Sequence, residues 1–309
     1  MEKFIDKITL GNCRNFLPKI SPESVHLFLS DIPYGIGLDE WDVLHENTNS
    51  AYLGQSPAQK GKNGFKRRGK PIRGWNTADR DIVKDYEKWC LGWAQLIYPI
   101  MKKGASLFVF GARRTIHRAI VALEDTGFML RDMLIWKKPS AHHRSQRMEI
   151  VLSRRGEKEL TEKWRGWRLG NLAPIYEPIA WLFKPYDRTI TDNVIENEVG
   201  AMNVEECLVN GKNPTNILEF GFRADEERVH EAQKPVDLVE YLIRLTTREK
   251  QIVLDPFIGS GTTAIACQNL NRKFIGFEIN EVYYNDAIKR LRNETRQMRF
   301  IREADENYS

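Results

Sequence analysis

Two short stretches of the 309-residue chain bring together residue types that chemistry uses. The first, SDIPYGIG at 30–37, ends an apolar run on Asp31-Ile32-Pro33-Tyr34, an acid followed by a residue that stiffens the backbone and an aromatic ring. The second, VLDPFIGSGTTAIA at 253–266, ends a strand on Asp255, turns through Gly259 and Gly261, and opens a helix near Thr262. Glycines at such a turn let backbone come close to a nucleotide-like ligand. No Lys follows them in the GxxxxGK[ST] pattern, so this is not a phosphate-cradling loop of that kind. GSGTTA does match GxGxxA, and Glu278 lies about 20 residues on at the end of the next strand, where ribose hydroxyls are caught. Each stretch also has a bland reading: a strand-end turn for the tetrapeptide, a ligand-free strand-to-helix turn for the glycines.

The elements that must position these residues alternate along the chain. VHLFLSD (25–31) reads as a short buried strand, 85–104 as an amphipathic helix closed by Gly104, and ASLFVFG (105–111) as the next strand. A helix at 113–127 and a strand at 128–138 follow. Near the C-terminus come a helix at 234–247 with Pro235 in its first turn, a strand at 251–257, a helix at 261–271, a strand at 273–280 and a helix at 281–294. Strands alternating with helices predict a mostly parallel sheet covered on both faces. Residues 38–80, polar, Gly-rich and basic, and the irregular stretch 140–229 depart from that rhythm.

Composition bounds the class. At 41% hydrophobic the chain can bury a large core, as one α/β domain or as one domain with an insert. The net charge is only +5, but residues 60–75 hold seven basic side chains (Lys60, Lys62, Lys66, Arg67, Arg68, Lys70, Arg73) and no acid, so the remainder nets about −2. Cys13, Cys90, Cys207 and Cys267 form no CxxC pair, which predicts neither a zinc site nor a disulfide framework and fits a reducing cytoplasm. No stretch reaches the roughly 18 apolar residues of a membrane span, and no apolar signal core opens the chain, so a cytoplasmic protein with no membrane partner is expected.

The order of the motifs narrows the function. Asp31-Ile32-Pro33-Tyr34 after a strand, YEPIAWLFKP (176–185), HEAQKPVDLVEYLI (230–243), LDPFIGSGTT and GFEIN together resemble the amino-group DNA methyltransferases that use S-adenosyl-L-methionine, in the permuted β-class arrangement where the catalytic motif precedes the cofactor motif. The resemblance spans residues 8–37, about 75–140, 176–185 and 230–290. It implies a doubly wound mixed sheet of the Rossmann-like methyltransferase type with an irregular target-recognition region. The expected division is 1–140 for the catalytic part, carrying the basic loop 38–80, then 141–229 for target recognition and 230–309 for the cofactor part of the same domain. Ile32 is a permitted variant of the tetrapeptide. Gly11-Asn12 stands where family members often have Gly-Asp, so the acceptor for the cofactor's adenine amino group becomes the Asn12 amide oxygen.

The chemistry implied is methyl transfer to an exocyclic amino nitrogen. That nitrogen is a poor nucleophile because its lone pair is delocalised into the ring, and acceptors aimed at its hydrogens return density to it. Asp31 and the Ile32 carbonyl fill that role, Pro33 aims the carbonyl, and Tyr34 offers a face for an extruded base, a contact worth roughly 1–3 kcal/mol. No cysteine stands in a Pro-Cys context, which counts against methylation at ring carbon. The resemblance further assigns Phe257, Gly259 and Gly261 to the cofactor's methionine part and adenine face, Asp255 to its amino group, Glu278 to both ribose hydroxyls and Lys234 to its amino-acid end, with Thr262 and Asn280 as further contributors. Lys234 also reads as a solvated lysine at a helix start.

Double-stranded DNA is the expected partner; a homodimer stays open. Lys66, Arg67, Arg68, Lys70 and Arg73, interleaved with Phe65 and Trp75, are expected to form a mobile loop that clamps DNA, and the basic, aromatic stretch 142–170 is expected to contribute to the same surface. Three readings compete. The first is a site-specific methyltransferase acting on adenine N6, towards which an acid at position 31 leans, in a restriction-modification or phage or epigenetic setting, with cytosine N4 as the near alternative. The others are a nicotinamide-dependent oxidoreductase, which explains GxGxxA and Glu278 but not the tetrapeptide, and a silent nucleic-acid-binding protein of the same fold.

Overall fold

In a computed structural model the described residues are 1–33, 78–141, 145–170, 172–224, 226 and 233–308. The strands and helices, in chain order, are β1 (Lys7–Leu10), β2 (Val25–Asp31), α1 (Ala78–Ile97), β3 (Met101–Phe110), α2 (Ile116–Thr126), β4 (Met129–Lys137), β5 (Gln146–Arg147), α3 (Met148–Arg154), α4 (Lys158–Lys163), β6 (Arg168–Leu169), β7 (Tyr176–Phe183), α5 (Ile190–Asn197), β8 (Ile217–Leu218), α6 (Val236–Thr246), β9 (Ile252–Asp255), α7 (Thr262–Asn269), β10 (Lys273–Glu278) and α8 (Glu281–Tyr308).

Eight strands form one sheet in the order β1-β10-β9-β2-β3-β7-β4-β8. The pairs from β1 through β3 are parallel, β7 runs antiparallel between β3 and β4, and β8 returns parallel to β4. The sheet is therefore the doubly wound mixed type expected. Its two faces come from the two-residue alternation of each strand. Phe28, Leu107, Val109 and Leu254 face one core layer with Tyr86 and Trp93 of α1 and Ala119 of α2. Leu27, Leu29, Phe108, Phe110 and Val253 face the other, with Leu238 and Leu242 of α6, Ala264 of α7 and Ala287 of α8. Because both faces are covered, these strands read as continuous apolar runs in the sequence.

Two expectations need correcting. The helix expected over 85–104 ends at Ile97, because Pro99 cannot continue it, and Met101–Gly104 already belong to β3. Gly104 sits in that strand at φ +81°, with the Asn193 amide in the space a Cβ would need. Secondly, the stretch 140–229, expected to break the rhythm of strands and helices, contains β7, an internal strand of the sheet, and within the described residues of 145–170 β5 pairs with β6 and α3 packs against α4. Among the described residues no helix is long and apolar enough to cross a membrane. The basic run with Lys66, Arg67, Arg68, Lys70 and Arg73 lies outside the described residues, as does Tyr34.

Candidate active site

β2 and β9 are neighbours, yet the chain leaves β2 towards β3 on one side and β9 towards β10 on the other. A crevice opens beyond the carboxyl ends of parallel strands at such a switch point. Here it is lined by Asp31, Phe110, Lys234, Asp255, Phe257, Gly259, Ser260 and Thr262 and is open to solvent. The sheet thus brings the tetrapeptide and the glycine loop, more than 200 residues apart, to one cleft.

The tetrapeptide is anchored on both sides. The Ile32 side chain is fully buried in the layer under α1, and its N–H donates to the Phe110 carbonyl at 3.2 Å. The Tyr86 hydroxyl donates to the Pro33 carbonyl at 2.8 Å, so α1 fixes the backbone just after the strand. Tyr86 was not among the residues expected to matter, since an aromatic on an amphipathic helix reads simply as core.

Asp31 receives Lys234. The lysine ammonium lies 2.5 Å from Asp31 Oδ2 and 3.2 Å from Glu177 Oε2, over the face of the Phe110 ring. Only 5% of the Lys234 side chain is exposed. Burial works against its charge, but Asp31 and Glu177 outweigh it and lift its pKa above the ordinary lysine value. Burial likewise opposes ionisation of Glu177, and the charges of Lys234 and Lys138 overcome it and hold the carboxyl below its usual range. Lys234, expected at the amino-acid end of a cofactor, lines the crevice and directs its ammonium at Asp31.

Asp255 is enclosed by neutral donors. Ser30 Oγ and the Phe257 N–H donate to its Oδ1 at 2.6 and 3.1 Å, and Thr263 Oγ1 donates to its Oδ2 at 2.6 Å. Burial pushes its pKa up to about 7, the hydrogen bonds counteract this in part, and the nearby Asp31 charge adds to it. Thr263 is a contributor the sequence reading missed; a second threonine in the first turn of α7 is the signal for it.

The glycines differ in role. Gly259 has φ +50° and a Cβ there would meet little but the Phe257 carbonyl 3.9 Å away, so the loop leaves its approach side open. Gly261, at φ +81°, would put a Cβ 3.1 Å from that of Ala287, so it is glycine to let α8 pack. Phe257 packs against Trp89 and Trp93 of α1. The Thr262 hydroxyl accepts from Arg290 Nη1 at 2.8 Å, and the same nitrogen donates to the Ser260 carbonyl at 3.2 Å. Arg290 is itself paired with Glu226 at 3.0 Å, so α8 braces the loop from behind.

At the far end of the loop, Glu278 accepts the Gly259 N–H at Oε2, 2.9 Å, and the Asn280 N–H at Oε1, 2.8 Å. Burial raises its pKa and these N–H donors counteract part of the shift. The Gly11 N–H donates to the Glu278 carbonyl at 2.7 Å, which places Asn12 beside this end. The Asn12 amide oxygen accepts the Arg14 N–H at 3.0 Å, capping a short turn. An open glycine approach ending at a fixed carboxylate, whose oxygens each have further lone pairs, fits a nucleoside whose ribose hydroxyls need acceptors.

Comparison with known proteins agrees with this geometry. The model of a DNA methylase family covering N6 and N4 methylation matches residues 25–289. The chain is 47% identical over 283 residues to the type II methyltransferase M.HindIII of Haemophilus influenzae, covering 89% of this chain and 91% of that one. It is 26% identical to the type II methyltransferase M.BglII of Bacillus subtilis, covering 95% and 71%. Among solved structures, PvuII DNA methyltransferase (cytosine-N4-specific) superposes with a TM-score of 0.60 at 16% identity, covering 92% of this chain and 85% of that one. The M1.HpyAVI-SAM complex does so with 0.55 at 20%, covering 92% and 98%. At these identities the two structures speak for the fold.

Proposed function

Since the chain belongs to the N6/N4 DNA methylase family, we propose that it transfers a methyl group from S-adenosyl-L-methionine to adenine N6 of a base turned out of duplex DNA at a specific site. The observation that carries this reading is the shared crevice: Asp31 at the end of β2 and the glycine loop after β9 open into one space. The cofactor supplies a sulfonium-bound methyl group. In this reading Glu278 accepts from the ribose hydroxyls, and the open side of Gly259 and the ring of Phe257 border the methionine part and adenine. Asp31 and the Ile32 carbonyl accept the hydrogens of the target amino group, with Pro33 aiming that carbonyl. The backbone hydrogen bonds at Ile32 and Pro33 preorganise these acceptors, so little reorganisation remains when the base arrives. Asp255, occupied by Ser30, Thr263 and Phe257, shapes the loop, and any contact with the cofactor's amino group adds to that role.

Site-specific reading of DNA is assigned to residues 145–170, which present Arg147, Arg154, Arg155, Lys158 and Arg168 with Trp164 and Trp167. A type II modification role is taken from the likeness to M.HindIII, and a DNA substrate inside the cell implies a cytoplasmic location. The test is to methylate DNA with labelled S-adenosylmethionine, digest it to nucleosides and identify the labelled base. N6-methyladenine is expected; N4-methylcytosine would replace the adenine assignment with cytosine, and an unlabelled digest would overturn the activity.

A further inference from the structure

Asp31 stands at the end of a line of alternating charge that reaches a strand far from it in sequence. Lys138 pairs with Glu177 Oε1, Glu177 Oε2 lies 3.2 Å from Lys234 Nζ, and Lys234 Nζ lies 2.5 Å from Asp31 Oδ2. Topology explains how the line forms. The register across β2, β3 and β7 aligns Asp31 with Phe110 and Phe110 with Ile179. Because β7 is antiparallel, its first residues lie at the edge where the parallel strands end, and Glu177, two residues before Ile179, reaches the crevice from there. Trp136 opposes Glu177 in the β4–β7 ladder, which sets Lys138 diagonally next to it. Lys234 enters from the segment just before α6 and is buried between the two acids.

We propose that Glu177 and Lys234 are positioning residues for methyl transfer: Glu177 holds the Lys234 ammonium in its buried site, and Lys234 grips Asp31 Oδ2, fixing the rotation and the charge of the catalytic carboxylate. The inference rests on the assignment of Asp31 to the target amino group. A buried ammonium with a single anion would face the full cost of leaving water; a second carboxylate offsets it, and Lys138 in turn balances that carboxylate. The Phe110 ring beneath Lys234 adds attraction without hydrogen-bond geometry of its own. This gives the acid at 177 a task that a sheet residue with neutral neighbours would not need.

The test uses the full-length enzyme and compares Glu177→Gln with wild type in turnover, in cofactor affinity by calorimetry and in the pH profile of turnover. The expected result is a fall in kcat of roughly one to two orders of magnitude with cofactor affinity nearly unchanged, because what is lost is the aim of the reacting group. Removing one of the two anions that raise the Lys234 pKa also moves the basic limb of the profile to lower pH. Glu177→Asp, which keeps the charge, restores the position of that limb. Lys138→Met leaves the buried pair intact and covers the case in which Glu177→Gln does not fold. It raises the Glu177 pKa and so moves the acid limb upward. Asp31→Ala separates the two claims. If that variant retains turnover, the assignment of Asp31 fails; if it is inactive while Glu177→Gln keeps the wild-type kcat and both limbs, the positioning role is wrong.

Discussion

Asp31 and Asp255 end neighbouring strands in opposite electrostatic settings. One is paired with a buried ammonium, and the other, 3% exposed, meets only hydroxyls and an N–H. The difference supports the proposed division of tasks. Asp31→Ala should abolish methyl transfer while S-adenosylmethionine still binds, because Lys234 keeps Glu177 as a partner and the glycine loop is untouched; near-normal turnover of the variant on its cognate DNA would remove Asp31 from the mechanism. Asp255 makes a pH prediction. Its folded pKa of about 7 lies above the ordinary value of 3.8, so between those values the folded state holds a proton the unfolded state has lost. Its contribution to stability is complete below about pH 4 and declines as pH rises to 7, by roughly 1.4 kcal/mol per pH unit at most. Asp255→Asn cannot titrate and should flatten this decline, visible as a smaller change in Tm between pH 5 and pH 8. Gly259→Val should block S-adenosylmethionine, since its side chain enters the open approach, and its φ of +50° adds a cost in stability; unchanged affinity in a folded variant refutes that.

The elements decide which residues the sequence could reveal. β2 was legible from 25 to 31 because a largely apolar run, Val25 and Leu27 to Leu29, closed by Asp-Ile-Pro has few alternatives, and α7 was legible because Gly261 and the Thr pair mark its start. β7 was legible only as part of a motif. Its eight residues mix Glu, Pro, Trp and Phe without alternation, since both faces are covered, and nothing local says that it runs antiparallel between β3 and β4. Glu177 was therefore invisible as a site residue: its place depends on strand direction, which is a property of the whole sheet. Tyr86 was hidden for a related reason, because its hydroxyl is spent on a carbonyl 53 residues earlier. Replacing it tests how far α1 supports the tetrapeptide. Tyr86→Phe leaves a half-buried acceptor without this donor and should cost about 0.5–1.5 kcal/mol of stability. Turnover should fall more than S-adenosylmethionine affinity does, since Pro33 and not the glycine loop loses its support. Equal losses in both, measured by calorimetry and steady-state kinetics, would mean that α1 merely holds the fold.

At the scale of the molecule, the Lys234 ammonium in the crevice is already paired with Asp31 and Glu177, and the DNA substrate is a polyanion. Positive charge elsewhere must bring the two together, and its distribution along the chain is uneven: seven cations stand in residues 60–75, so the remainder nets about −2. Phosphates are the same at every step of the duplex, so cations that meet them contribute affinity without reading sequence. Each phosphate neutralised releases counterion and adds about 0.9 to the slope of log affinity against log salt. Replacing Lys66, Arg67 and Arg68 together by alanine should then flatten that slope by up to roughly 2–3 units and weaken binding to all duplexes at low salt. The methylated sequence should stay the same, since base reading is assigned to residues 145–170. Titrations of cognate and unrelated duplexes at several salt concentrations, with the modified site mapped in parallel, check both halves. An unchanged slope would show that these cations remain solvated when DNA is bound, and a changed target sequence would transfer base reading to them.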